Sequence, residues 1–303
     1  NINIWHYFSY LFYVVILFLL IWASIYGIKV SGSQRWIDLY FINLQPSELM
    51  KIAIIACLAK YYHRVQLREV NTFKHIFFSL IILILPIILV ISQPDLGTSI
   101  LIGLSGLVVM WLSGLNIKYF IYSFLTLLVS MPFAISLLKP YQKLRILTFL
   151  NPDRDPLGAG YQIIQSKIAV GSGGFTGKGF LKGTQNYLEF LPEKHTDFIF
   201  TLFAEEYGFL GSLGLLLIYI IIIYRIIKIG SISRSYFAKI FCYGYASSIF
   251  FYISVNMSMV LGLLPIVGSP LPIMSYGGSS MLATMIGFAI VMSAKINHKQ
   301  LIA

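Results

Sequence analysis

Charge is scarce in this 303-residue chain: Asp, Glu, Lys and Arg together make up 11% of it. A water-soluble domain carries roughly 25%, so an ordinary globular surface is excluded. Acids are scarcer than bases, 11 against 22, and the net charge is +11. So little charge builds no basic groove, which excludes nucleic acid as the partner behind that excess. Two sources remain, the positive loops of a membrane protein and an anionic ligand. Cysteine is nearly absent. Cys57 and Cys242 both lie in apolar runs, which excludes a disulfide framework and leaves two small core residues. The apolar runs are continuous and do not alternate with polar residues, which excludes a transmembrane β-barrel.

What is present is hydrophobic sequence, 58% of the chain, in runs that approach or exceed the ~20 residues needed to cross a bilayer as a helix. The fold class is therefore an all-α polytopic membrane protein. Eight spans are expected, over residues 7–28, 46–62, 76–92, 97–114, 119–138, 199–228, 237–262 and 271–294. The second reaches only about 25 Å at ~1.5 Å per residue, so a thinned or protein-covered setting is expected for it. Pro86 predicts a kink in the third. The chain starts at Asn1, and the run Tyr7 to Ile28 is too long for a signal-peptide core and reads as a span. The domain layout follows: five spans over 1–138, a large loop over 139–197, and three spans with a tail over 198–303.

Charge then orients the chain. His63, Arg64, Arg68, Lys74 and His75 face one acid, Glu69, in the second loop. Arg225, Lys228, Arg234 and Lys239 fall in the loop 225–239, and Lys295, His298 and Lys299 in the tail. With eight spans these segments share one side with Lys118 and the amino terminus, the cytoplasmic side by the positive-inside rule. The large loop falls outside. It is also rich in Lys and Arg, which an extracytoplasmic anionic ligand would explain. Within it, GYQIIQSKIAVGSGG (160–174) has the spacing of an amphipathic surface helix. The glycines from Gly171 to Gly179 either form a flexible turn or let backbone N–H groups approach a ligand.

The chemistry-bearing residues cluster at the outer ends of the spans. In LPEKHTDFIFTLFAEE (191–206), Asp197 opens the sixth span. It reads as a helix cap or as a carboxylate at a lipid–water boundary, the setting a general base needs. Glu205 and Glu206 follow two turns on, at a depth where ionisable groups face protein or water. In QPSELMK (45–51), Glu48 and Lys51 are three apart on one helix face and can pair. Arg35 and Trp36 in SGSQRWIDL (31–39) share that surface, Arg35 as a phosphate-shaped cation and Trp36 as an interfacial anchor. His195 and Asp197 alone do not make a structural metal site. A divalent ion, Mg2+ or Mn2+, bridging a pyrophosphate to a carboxylate is the one cofactor role left open. Ser275, Ser279 and Ser280 have no adjacent base and no nucleophile-elbow pattern, so they read as a tight turn feeding the last helix.

Taken together, QPSE (45–48), QPDLGTS (93–99), NPDRDPLGAGYQIIQSKIAVGSGG (151–174), LPEKHTDFIF (191–200) and LPIMSYGGSS (271–280) resemble the SEDS family of shape, elongation, division and sporulation proteins. They resemble its elongation members more than its division members. The resemblance covers nearly the whole chain. It implies a single SEDS domain and a peptidoglycan glycosyltransferase that polymerises lipid II at the outer face of the bacterial plasma membrane. It implies a class B penicillin-binding protein as transpeptidase partner, with MreC and MreD in the same elongation system. The family's essential carboxylate maps to Asp197. Arg35, Glu48, Lys51, Lys167, Lys178 and His195 are the expected substrate-binding residues. Family members have ten spans, so the first pair is expected to be missing from the eight found here. A lipid flippase and a non-catalytic scaffold for the transpeptidase are the other functions weighed. A flippase would need polar groups down to the cytoplasmic side, whereas these motifs gather on the outer one.

Overall fold

The computed structural model describes residues 1–30, 33–38, 40, 43–137, 140–154, 158–183 and 195–302. All eight expected spans are helical. They form α1 (Ile2–Tyr26), α2 (Pro46–His63), α3 (Phe73–Ser92), α4 (Leu96–Leu112), α5 (Ile117–Leu137), α8 (Ile199–Ile232), α9 (Tyr236–Val260) and α10 (Gly278–Ile296). The large loop adds α6 (Pro140–Leu150), a 3-10 turn at Pro152–Arg154, and α7 (Ala159–Ser172), the helix expected from its amphipathic spacing. Among the described residues, α1, α3, α8, α9 and α10 are long and apolar enough to cross a membrane, by length and composition alone.

Three departures from the sequence reading matter. The stretch after α1 is a meander of three antiparallel strands, β1 (Ile28–Val30), β2 (Ser33–Asp38) and β3 (Asn43–Leu44). Trp36 pairs with Ile28, and Ile37 with Leu44. The last helix starts at Gly278 instead of residue 271. Pro272 lacks a backbone donor, and the Leu271 N–H donates to Ser275 Oγ at 2.7 Å, which holds that stretch as a turn. Finally, α8 is broken at Gly208 (φ 65, ψ −159).

The chain divides into two compact units, residues 1–115, 221–252 and 277–303, and residues 116–220 and 253–276. In the first, α2 is the central helix: every residue from Pro46 to Ala59 is buried, as expected of a helix enclosed by its neighbours, with Glu48 and Lys51 its charged exceptions in that stretch. It packs against α1, α3, α4 and α10, which supplies the protein cover that its shortness calls for. Helix α1 buries Ile2, His6, Ser9, Tyr13, Ile16, Leu20 and Ala23. This alternating four-and-three spacing keeps one stripe against its neighbours, and the opposite side, with Leu11, Val14, Phe18 and Ile25, is apolar and exposed. Pro86 sits on the corresponding buried stripe of α3, with Ser79, Leu83 and Val90.

In the second unit, the glycine-rich segment after α7 closes the break in α8. An unbroken helix would bond the Glu205 carbonyl to the Phe209 N–H, and that of Glu206 to the Leu210 N–H. Here the Lys178 and Gly179 N–H groups donate to the Glu205 and Glu206 carbonyls, at 3.1 and 2.9 Å. The Phe209 and Leu210 N–H groups donate to the Gly174 and Phe175 carbonyls, at 2.9 and 3.1 Å. The four groups released by the break are thus satisfied, as a membrane interior requires. The approach is so close that a Cβ on Gly177 would collide with the Glu206 carbonyl, and one on Gly208 with the Gly177 nitrogen. The glycines bring backbone up to the chain's own helix, which is why glycine is needed there.

Candidate active site

The first unit gathers four ionisable side chains. Asp95 caps α4: its Oδ1 accepts from the Thr98 N–H at 3.1 Å. Its Oδ2 accepts from Gln45 Nε2 at 3.2 Å and lies 3.1 Å from Arg35 Nη1. Strand β2 therefore presents Arg35 to the turn before α4. Arg35 keeps 28% of its side chain exposed, against 4% for Asp95. One turn into α2, Lys51 Nζ donates to Glu48 Oε2 at 2.6 Å, both residues being buried. The same ammonium lies 3.6 Å from the centroid of the Tyr252 ring, a cation–π contact that gains strength away from water. The charges of Arg35, Lys51, Glu48 and Asp95 cancel, so an anionic ligand here would have to displace a carboxylate.

The second unit holds Asp197 just before α8. Three consecutive carbonyls lead to it, and each accepts a hydrogen bond. That of His195 takes the Tyr276 N–H at 2.9 Å, that of Thr196 takes Ser275 Oγ at 2.7 Å, and that of Asp197 takes Asn256 Nδ2 at 2.8 Å. The second Asn256 N–H donates to the Ser269 carbonyl at 2.7 Å. A chain pinned at three successive residues has little freedom to turn its side chains. The Asp197 carboxylate lies over Gly268, its Oδ2 3.4 Å from where a Cβ would stand. The residue is half-buried, within reach of both solvent and protein.

The other expected residues take distinct places. His195 is exposed beside Asp197. Lys178 is not an open cation: its Nζ bonds Glu205 Oε1 at 2.7 Å, and Glu205 is fully buried. Lys167 is exposed on α7, its alkyl stem lying across Gly262. Among the described residues no group of three or more His, Cys, Asp or Glu side chains could hold a metal ion. Ser275 serves as a tie between two turns. Sequence reasoning passed over Asp95, Gln45, Tyr252 and Asn256. The signal for Asn256 was a lone amide in the apolar helix α9, costly there unless bonded. For Asp95 it was the repeated Gln-Pro at 45–46 and 93–94.

The chain matches the family model for the cell cycle proteins FtsW, RodA and SpoVE over residues 1–300. It belongs to that family. Among FtsW/RodA/SpoVE relatives it is 44% identical to the peptidoglycan glycosyltransferase MrdB of Escherichia coli strain K12, over 95% of this chain and 78% of that protein. It is 31% identical, with a TM-score of 0.84, to a chain of a solved peptidoglycan synthase complex that coordinates polymerization and crosslinking; the match covers 98% of this chain and 83% of that one. The rod shape determining protein RodA of Thermus thermophilus has the same fold, with a TM-score of 0.70 at 24% identity over 97% of this chain and 80% of RodA. With its apolar helices, membership of the FtsW/RodA/SpoVE family makes this a multi-pass membrane protein.

Proposed function

We propose that this protein is a peptidoglycan glycosyltransferase that polymerises lipid II during cell elongation, with Asp197 as its general base. The activity is supported by the likeness to MrdB along nearly the whole chain. The assignment of Asp197 follows the resemblance of the motif around it and is supported by one structural observation, a half-buried residue on backbone pinned at three successive carbonyls.

In the proposed reaction the acceptor's sugar hydroxyl gives its proton to the Asp197 carboxylate. Its oxygen forms a bond to the anomeric carbon of the donor. The bond from that carbon to the pyrophosphate oxygen breaks, and the electron pair leaves with undecaprenyl pyrophosphate. A placed base contributes about 10²–10⁴-fold to such a step. In the second unit Lys167, exposed on α7, is the cation proposed for the anionic head of the lipid; in the first unit, taken by itself, Arg35 and Lys51 are the proposed phosphate-binding cations. Arg35 and Lys51 would bind by exchanging a carboxylate for a phosphate. His195, exposed next to the base, and Glu48, which holds Lys51, complete the substrate-binding set, with Lys178 acting through its bond to Glu205. A divalent cation would enter with the pyrophosphate.

The same reading places the active side outside the plasma membrane, since the basic short loops fall on the other face. A class B penicillin-binding protein is the proposed partner, supported by the likeness to the synthase complex. MreC and MreD are the further partners of an elongation system.

The test is glycan-strand synthesis from purified lipid II by the chain with its transpeptidase partner, comparing wild type with Asp197→Asn. Loss of about 10²-fold or more with unchanged folding is expected. Polymer from both proteins would remove Asp197 as the base. Polymer from neither would remove the activity.

A further inference from the structure

Asn256 stands out from its surroundings. It is fully buried in α9, in a stretch that is otherwise Tyr, Ile, Val and Met with two serines. An amide at such a site is costly unless its groups are bonded. Both of its N–H donors are used, one on the Asp197 carbonyl and one on the Ser269 carbonyl. Its Oδ1 is buried and has no hydrogen-bond partner among the described residues. The side chain therefore does one thing, which is to clamp the backbone of Asp197 to the backbone one residue beyond Gly268. Gly268 is the residue over which the Asp197 carboxylate lies.

Ser275 makes the adjacent clamp. Its hydroxyl donates to the Thr196 carbonyl and accepts from the Leu271 N–H, both at 2.7 Å, and the residue is 4% exposed. The two side chains thus fix consecutive peptide groups on one side of the carboxylate and the turn at 268–275 on the other. Removing either takes away one of the hydrogen bonds that hold the Thr196–Asp197 backbone and loosens it.

We infer that Asn256 and Ser275 are positioning residues for Asp197, setting where its carboxylate stands without touching substrate. The inference rests on Asp197 being the base. A base acts through placement: a displacement of about 1 Å costs roughly 10²-fold in rate, while substrate binding elsewhere is left intact. The loss therefore falls on kcat and spares KM.

The experiment measures lipid II polymerisation by the full chain with its transpeptidase partner. The variants are Asn256→Ala, Ser275→Ala, Ser275→Thr and Asp197→Asn, with Asn256→Ala also made in the Asp197→Asn background. Rates are taken per mole of monodisperse protein, and melting temperature is followed alongside. Asn256→Ala and Ser275→Ala each lower kcat by roughly 10- to 100-fold, with KM within about twofold. Ser275→Thr, which keeps the hydroxyl, recovers most of the rate. In the Asp197→Asn background, Asn256→Ala changes the residual rate by less than about twofold, since two residues acting through one group do not add.

Full kcat in both alanine variants beside an inactive Asp197→Asn would overturn the inference and keep the base. The same factor lost in both backgrounds would make Asn256 a structural residue only. Full activity in Asp197→Asn would remove the base and the inference with it. Should Asn256→Ala fail to fold, the comparison of Ser275→Ala with Ser275→Thr decides: equal rates overturn the inference, and recovery by threonine supports it.

Discussion

Separating the Glu48–Lys51 pair is expected to destabilise the protein unequally with pH. At 2.6 Å and an effective dielectric constant near 20, the two charges attract by about 6 kcal/mol. Most of that offsets the desolvation of two buried groups. The measurable quantity is what happens when one partner is removed. In Lys51→Met the stranded carboxylate is relieved by taking up a proton, which costs an ordinary glutamate about 3.7 kcal/mol at pH 7, a ceiling on the loss. In Glu48→Gln the stranded ammonium is relieved by giving up a proton, about 4.6 kcal/mol for an ordinary lysine. Stranding one partner of a buried pair typically costs about 3–5 kcal/mol, and this second loss is expected within that range. The double variant Glu48→Gln/Lys51→Met strands no charge and is expected to lose only about 1–2 kcal/mol, largely the cation–π contact with Tyr252.

The signs with pH are opposite. Acid protonates the stranded carboxylate, so the deficit of Lys51→Met narrows as pH falls. Base deprotonates the stranded amine, so the deficit of Glu48→Gln narrows as pH rises. Each changes by up to about 1.4 kcal/mol per pH unit. Reversible unfolding in mixed micelles from pH 5 to pH 9 reads both slopes. A double variant as unstable as the two single ones summed, or slopes of the same sign, would refute the pairing. Polymerisation by the double variant adds a second reading. Regained stability without regained activity shows that the pair serves the reaction and not the fold alone.

Two further outcomes are expected. Gly177→Ala drives a methyl group into the Glu206 carbonyl at a positive φ of 81°. It should lower stability by at least 1–2 kcal/mol and expose the backbone amides of Phe209 and Leu210 to hydrogen exchange; unchanged protection there would contradict the junction. Asp95→Ala removes the cap of α4, worth about 1 kcal/mol, and leaves Arg35 without its carboxylate. Asp95→Asn keeps the capping oxygen and should recover about half of the loss in a thermal melt, whereas equal melting temperatures for the two would show that the cap contributes nothing.

The eight helices were legible because each is a long apolar run, and length carries that signal whatever the run packs against. The strands at 28–44 were not, since two or three residues of pairing leave no periodicity to read. The break at Gly208 was invisible for a similar reason. A glycine inside an apolar helix is ordinary, and what distinguishes this one is a partner loop some thirty residues earlier. The site divides the same way. Glu48 with Lys51 is a local pair, visible from a spacing of three. Arg35 with Asp95, and Asn256 with Asp197, join residues about sixty apart in the chain, and only the fold brings them together. The motif around Asp197 made it a candidate, but the hydrogen bonds that hold its backbone were not visible there.

The break in α8 also divides the labour of membrane insertion. Its 34 residues would stretch about 51 Å as one rod, far beyond a hydrocarbon core of about 30 Å. Residues 209–232 alone reach about 36 Å and carry the hydrophobicity that a translocon recognises. Residues 199–207, which bear Glu205 and Glu206, are freed from crossing lipid and can be shaped for chemistry. Evolution can therefore vary the end of this element next to Asp197 without risking the topology of the chain, because the segment that commits it to the bilayer begins after the glycine.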